Sequence, residues 1–267
     1  MITIAQPIPQ QAQRVADAMT RLPGIIGITL GGSVASGLAD ESSDLDIYIY
    51  WRALLAEPEE RAERLRPLAD EGSLRMNILT WGLEDHLQVQ GKLVEVIYFD
   101  LDAIRADVER AYGEGLISNA YTTSLLYTLA SSHMLHDATG EVTALRERLH
   151  ALYPEPTRDK LLRHHPELLR FSLKLLWRAQ ERGDLLFVQQ MRYEIQATCF
   201  DLLFALNRLY HPGGKRLLIH GKRCLIKPDD MSARWERTAR IAADDPALAE
   251  ELESLVEDIC GLAEEHQ

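Results

Sequence analysis

Gly31-Gly32-Ser33 and, after ten intervening residues, Asp44-Leu45-Asp46 are the residues whose types and spacing suit chemistry in this chain. An apolar run ends at Leu30, so the glycines stand where a strand turns into the next element. Glycine there permits positive φ and close backbone approach. A helix start beyond it presents unpaired N–H groups to an anion, and the Ser33 hydroxyl adds a donor. Together these features form a phosphate cradle. Asp44 and Asp46 open the β-prone run Ile47-Tyr48-Ile49-Tyr50-Trp51. At a side-chain period of two they share a face, roughly 7 Å apart at Cα, while Leu45 and Ile47 point the other way. Two carboxylates so placed repel each other, and divalent cations relieve that repulsion. Two magnesium ions roughly 4 Å apart activate an attacking hydroxyl and neutralise a triphosphate during in-line displacement. A further acid, Glu95, stands alone in the apolar run Leu93–Phe99, a costly place unless it is paired, protonated or metal-bound. The plainer alternative is a glycine turn, a solvated acidic strand end and a glutamate facing solvent on an edge strand.

The elements that must position these residues follow from periodicity. Gln10–Leu22 reads as a short amphipathic helix ending before Pro23 and Gly24. Ile25–Leu30, Leu45–Trp51, Leu74–Trp81 and Leu93–Phe99 read as strands, with helical stretches at Glu57–Asp70 and Leu101–Tyr112 between and after them. A helix over Asn119–Ala130 leads into the short run His133–His136 and the turn Asp137–Gly140. Past about residue 141 the β signal stops, and Tyr153-Pro154-Glu155-Pro156 marks a hinge. Beyond it Val188, Met191, Ile195, Cys199, Leu202 and Leu206 form one apolar stripe, and Leu248, Leu252, Leu255, Ile259 and Leu262 another. Both are the buried seams of a helical bundle. The fold class is therefore α+β: residues 1–150 form a domain with a mixed β-sheet flanked by helices, and residues 151–267 an all-α bundle.

The composition narrows the partners. With 267 residues and a net charge of −12, the chain suits a globular protein that attracts cationic small molecules, and argues against a general nucleic-acid coat. Cys199, Cys224 and Cys260 lie far apart, which fits a reducing, cytoplasmic setting. His164-His165 has no accompanying zinc motif. The uncharged stretch 22–39 is too rich in glycine for a membrane span, and the N-terminus lacks the pattern of a signal peptide.

Leu30, Gly31, Gly32, Ser33, Asp44 and Asp46 together resemble the signature of the DNA polymerase β-like nucleotidyltransferase superfamily. The run His133–Val142 with Leu145 resembles the strand and Asp-x-x-Gly turn that closes the catalytic domain of lincosamide and aminoglycoside nucleotidyltransferases, which also carry a helical bundle. The likeness in motifs covers about residues 25–145. It implies a catalytic domain followed by a substrate-binding bundle. It also implies transfer of a nucleoside monophosphate from a nucleoside triphosphate such as ATP to a hydroxyl, with release of pyrophosphate. The family pattern asks for a third carboxylate, which Glu95 supplies as general base or metal ligand, with Asp100 as the alternative. Asp44, Asp46 and Glu95 then hold two magnesium ions, and Gly32, Ser33 and Ser43 bind the nucleotide.

From Leu202 to Pro228 the chain has six bases, Arg208, Lys215, Arg216, Lys222, Arg223 and Lys227, and no acid. Such runs are commonly solvated faces. Alternatively the loop ending at Lys215, after the flexible Gly213-Gly214, supplies a cation to the triphosphate, with Lys222 and Arg216 as other candidates. The acceptor expected is a small molecule such as an aminoglycoside or lincosamide antibiotic, in a resistance role. An RNA 3′ end is the second reading, and a non-catalytic nucleotide-binding regulator the third.

Overall fold

The computed structural model describes residues 8–80 and 82–267; residues 1–7 and Trp81, the last residue of the expected run Leu74–Trp81, lie outside them. In chain order the elements are α1 (Gln10–Met19), β1 (Ile25–Leu30), α2 (Gly32–Ala35), β2 (Leu45–Trp51), α3 (Pro58–Leu65), β3 (Arg75–Leu79), β4 (Leu83–Val89), β5 (Lys92–Asp100) and α4 (Leu101–Gly113). They continue as α5 (Ser124–Ser131), β6 (His133–Asp137), α6 (Glu141–Ala151), α7 (Glu155–Glu181), α8 (Leu185–Leu206), α9 (Leu217–Gly221), α10 (Met231–Arg240) and α11 (Ala247–Glu265). No helix among the described residues is long and apolar enough to cross a membrane. The chain divides into two compact units. A sheet unit runs to Val108 and resumes over Thr128–Leu152, while a helical unit takes Glu109–Tyr127 and Tyr153–Gln267.

The sheet unit is built on alternation. Leu45, Ile47 and Ile49 of β2, Val94, Val96 and Tyr98 of β5, and Leu87 and Val89 of β4 bury one face against Val15, Ala16 and Met19 of α1 and Leu65 of α3. Each fully buried aliphatic side chain contributes about 1.5–3 kcal/mol. The strand order is β3-β4-β5-β2-β1-β6, a mixed sheet in which β2 and β5 run parallel and the other pairs antiparallel. One buried ion pair lies on the core face. Arg61 donates to both oxygens of Asp85 at 2.8 and 3.2 Å, to the Ala56 carbonyl and to Asn77 Oδ1, and the Tyr98 hydroxyl also donates to Asp85.

Strand β4 is the element that the sequence reading lacked. Leu83–Val89 carries Glu84 and Asp85, residue types depleted in strands, and His86 and Gln88, which are not among those enriched there, so its alternation is hidden. The turn that returns it to β5 is Gln90-Gly91, with φ of +55° and +76°, the conformation of a type I′ hairpin. Asp70 accepts from both turn amides, at 3.0 and 2.7 Å. Helix α3 stops at Leu65, well short of the expected Asp70, because Pro67 follows. Strand β6 ends in the expected turn, where Asp137 accepts from the Gly140 and Thr143 amides.

In the helical unit both expected stripes are buried, apart from the partly buried Leu262. Leu169, Leu173 and Leu176 of α7 complete the seam. The three cysteines are buried and free. Residues 109–127 are fixed here by side chains. Asp201 accepts from the Thr122 amide and, at 2.6 Å, from its hydroxyl, and also pairs with His165 Nε2 at 3.1 Å. Thr157 and Thr198 donate to the carbonyls of Ala111 and Asn119. Helix α5 begins at Ser124 rather than Asn119, since Tyr121 adopts a φ of +58°.

Candidate active site

Both glycines after β1 are required, each for a different neighbour. A Cβ on Gly31 would lie 2.0 Å from the Tyr48 ring, and one on Gly32 would lie 1.7 Å from Asp46 Oδ2. Gly32 also adopts a φ of +59°, where an L side chain is strained. The Gly31 amide donates to the Asp46 carbonyl at 2.8 Å. The glycine turn is thus clamped over Asp46, with the carboxylate seated against the backbone. Ser33 Oγ is buried with no hydrogen-bond partner. Helix α2 is a single turn of four residues, so the expected dipole contribution is small and the cradle consists of backbone and Ser33.

Strand register brings the acids together. Asp46 is the Cα partner of Glu95 across the parallel β2–β5 pair, and Glu95 is the partner of His86 across β5–β4. Side chains of one row share a face, so Asp46, Glu95 and His86 stand on the face opposite the core, with Glu84 two residues from His86 on the same side. Burial, and then the negative charge of Asp46, push the Tyr48 hydroxyl well above its ordinary range. Asp44 also acts on Tyr48, from just before β2. Asp100, the alternative to Glu95, is committed elsewhere: its carboxylate accepts from the Asp102 and Ala103 amides at the start of α4.

The other expected residues are more dispersed. The Ser43 hydroxyl accepts from the Asp40 amide at 2.9 Å and donates to Asp40 Oδ1 at 3.1 Å, closing the turn that leads into Asp44. Lys215 lies in the helical unit, exposed, between α8 and α9. Within its stretch Arg208 pairs with Glu155 at 2.6 Å, and Lys227 Nζ donates to the Cys224 carbonyl at 2.6 Å.

Glu84 and His86 did not figure in the sequence reading. His86 Nε2 lies 2.8 Å from Glu84 Oε2, which also accepts from the Thr80 hydroxyl at 2.8 Å. The signal that would have found them is Gln90-Gly91 between two alternating runs, a hairpin turn that places His86 opposite Glu95.

Residues 12–109 match the family model described as a nucleotidyltransferase domain, and residues 119–217 match one described as a domain of unknown function (DUF4037). No curated protein matches the chain. Among solved structures, a nucleotidyltransferase-like protein from Exiguobacterium sibiricum 255-15 aligns at 13% identity and a TM-score of 0.36, over 96% of this chain and 74% of that one. The chain carries a nucleotidyltransferase domain of the DNA polymerase β-like superfamily and is a transferase that takes a nucleotide substrate. That family uses a divalent metal. The donors present suit one in kind, since Asp46 and Glu95 are hard oxygen donors paired across β2 and β5, and Asp44, a third, stands just before β2.

Proposed function

We propose that the chain transfers a nucleoside monophosphate from a nucleoside triphosphate, ATP by preference, to a hydroxyl of a small molecule, releasing pyrophosphate. The observation that carries this reading is the register pairing Asp46 with Glu95, with the Asp46 carboxylate held against Gly32. Asp44, Asp46 and Glu95 are the ligands for magnesium, which when bound neutralises the triphosphate and acidifies the acceptor hydroxyl. Gly32 and Ser33 take the β- and γ-phosphates, with the unpartnered Ser33 hydroxyl as donor. Glu95 accepts the proton of the attacking hydroxyl as the new bond to the α-phosphorus forms and the bond to pyrophosphate breaks. Ser43 supports the nucleotide from the turn before Asp44. Substrate binding is assigned to the helical unit, with Lys215 as its phosphate-binding cation. The net charge of −12 favours a cationic acceptor such as an aminoglycoside; a lincosamide is the alternative within the same class.

The test is to incubate the protein with magnesium and each α-phosphate-labelled nucleoside triphosphate, with pooled aminoglycosides and lincosamides or with total transfer RNA, beside Asp46→Asn. Label on a small molecule, lost in the variant, supports the reading. Label on RNA reassigns the acceptor to an RNA end, and label on neither contradicts the proposal.

A further inference from the structure

We propose that Glu84 and His86 of β4, together with Glu95 of β5, form a mixed oxygen–nitrogen site for a first-row transition ion, which sets the metal preference of the centre. This rests on the reading of Glu95 as a metal ligand.

Three observations lead there. The ligand atoms of Glu84, His86 and Glu95 all lie within 4.8 Å of one another. Metal–ligand bonds of about 2.1 Å separate adjacent donors by about 3 Å and opposite donors by about 4.2 Å, so a spread of up to 4.8 Å closes to one coordination sphere with a shift of about half an ångström. The 2.8 Å between His86 Nε2 and Glu84 Oε2 matches the spacing of adjacent donors.

The second observation is placement. His86 and Glu95 are register partners, and Glu95 is in turn the partner of Asp46, so these two donors continue the row that Asp46 begins, with Glu84 two residues from His86 on the same face. The third is rigidity. Glu84 is 1% exposed and is also held by the Thr80 hydroxyl, while the hairpin that carries the site is fixed by Asp70 at its turn. Donors on paired strands joined by a two-residue turn need little reorganisation to take up an ion.

Donor chemistry selects the ion. Magnesium prefers oxygen and keeps its waters, whereas an imidazole donor suits iron, nickel, copper and zinc, and manganese, which carboxylates suit, reports by its spin on either kind of donor. A centre with Asp44 and Asp46 on one side and His86 on the other therefore offers an all-oxygen position beside a position that favours a transition metal.

Manganese(II) is the probe. The untagged full-length protein is titrated with Mn2+ without nucleotide, followed by the loss of the free-ion EPR signal and by the pulsed-EPR nitrogen coupling of a bound imidazole. The expected result is bound Mn2+ with nitrogen coupling in the wild type and in Asp46→Asn. His86→Gln should lose the coupling and bind Mn2+ about tenfold or more weakly, at an unchanged melting temperature. Absence of nitrogen coupling in the wild type overturns the proposal, as does Mn2+ binding in His86→Gln equal to wild type. The wild-type spectrum is decisive even if His86→Gln folds poorly. Magnesium-supported, Asp46-dependent transfer without nitrogen coupling leaves the transfer reading standing and removes this site. Nitrogen coupling lost in His86→Gln, in a protein that transfers no nucleotide, keeps the site and removes the transfer reading.

Discussion

The two faces of the six-stranded sheet handle charge in opposite ways, and β4 carries both solutions in three consecutive residues. Asp85 points into the core and is matched by Arg61, Tyr98 and the Asn77 amide, which satisfy both its oxygens. Glu84 and His86, one step to either side, point the other way toward the row of Glu95 and Asp46. The core face has one carboxylate closed in by a guanidinium, whereas the opposite face gathers several carboxylates beside a glycine turn. The difference teaches that strand alternation alone separates an acid neutralised within the core from the acids gathered beside the glycine turn on the opposite face.

Substitutions on the two faces should therefore separate cleanly. Asp46→Asn should reduce nucleotidyl transfer about 10³-fold or more with the melting temperature unchanged or raised, measured by label transfer and calorimetry. On the core face, Asp85→Asn leaves Arg61 buried without its counter-charge. Unfolding in urea should show a loss of about 3–5 kcal/mol, while the folded fraction keeps its turnover. Loss of transfer at full stability in the core variant would break the distinction.

Gly32→Ala lies at the junction and should affect both properties. Its methyl would meet Asp46 Oδ2 at 1.7 Å in a backbone with φ +59°, so we expect about 1–3 kcal/mol of destabilisation together with a fall in transfer.

A smaller effect comes from the helical unit. The Gly213 amide donates to His211 Nδ1, so Nε2 carries the ring hydrogen, and burial brings the His211 pKa down to about 4. The folded protein then binds fewer protons than the unfolded chain between pH 4 and about 6.5. Stability from this group is complete above the unfolded value and is lost as pH falls toward 4, by at most about 1.4 kcal/mol per pH unit. Denaturation midpoints from pH 7 to 4 should fall less steeply in His211→Gln. Ser33→Ala should have the smallest effect, raising the KM for the nucleotide a few-fold with kcat nearly intact.

What could be read from the sequence divides along physical lines. The glycine turn at Gly31-Gly32 and the strand that carries Asp46 were legible because their constraints are local: the turn and the two-residue period act within one stretch of chain. The stripes on α8 and α11 were legible for the same reason. Strand β4 was hidden because its outward residues, Glu84, His86 and Gln88, and its buried Asp85 lack β propensity and depend on partners elsewhere. The membership of residues 109–127 in the helical unit depends on Asp201 reaching Thr122 across 79 positions, which no local pattern reveals. The identity of Glu95's neighbours likewise depends on register.

The most direct test compares Glu95→Gln with Asp100→Asn in magnesium-dependent label transfer. The register places Glu95 beside Asp46, whereas Asp100 caps α4. Glu95→Gln should lower the rate at least about 100-fold at unchanged stability, and Asp100→Asn should leave the rate intact while costing about 1 kcal/mol of stability. A rate that survives in Glu95→Gln and collapses in Asp100→Asn would contradict the account.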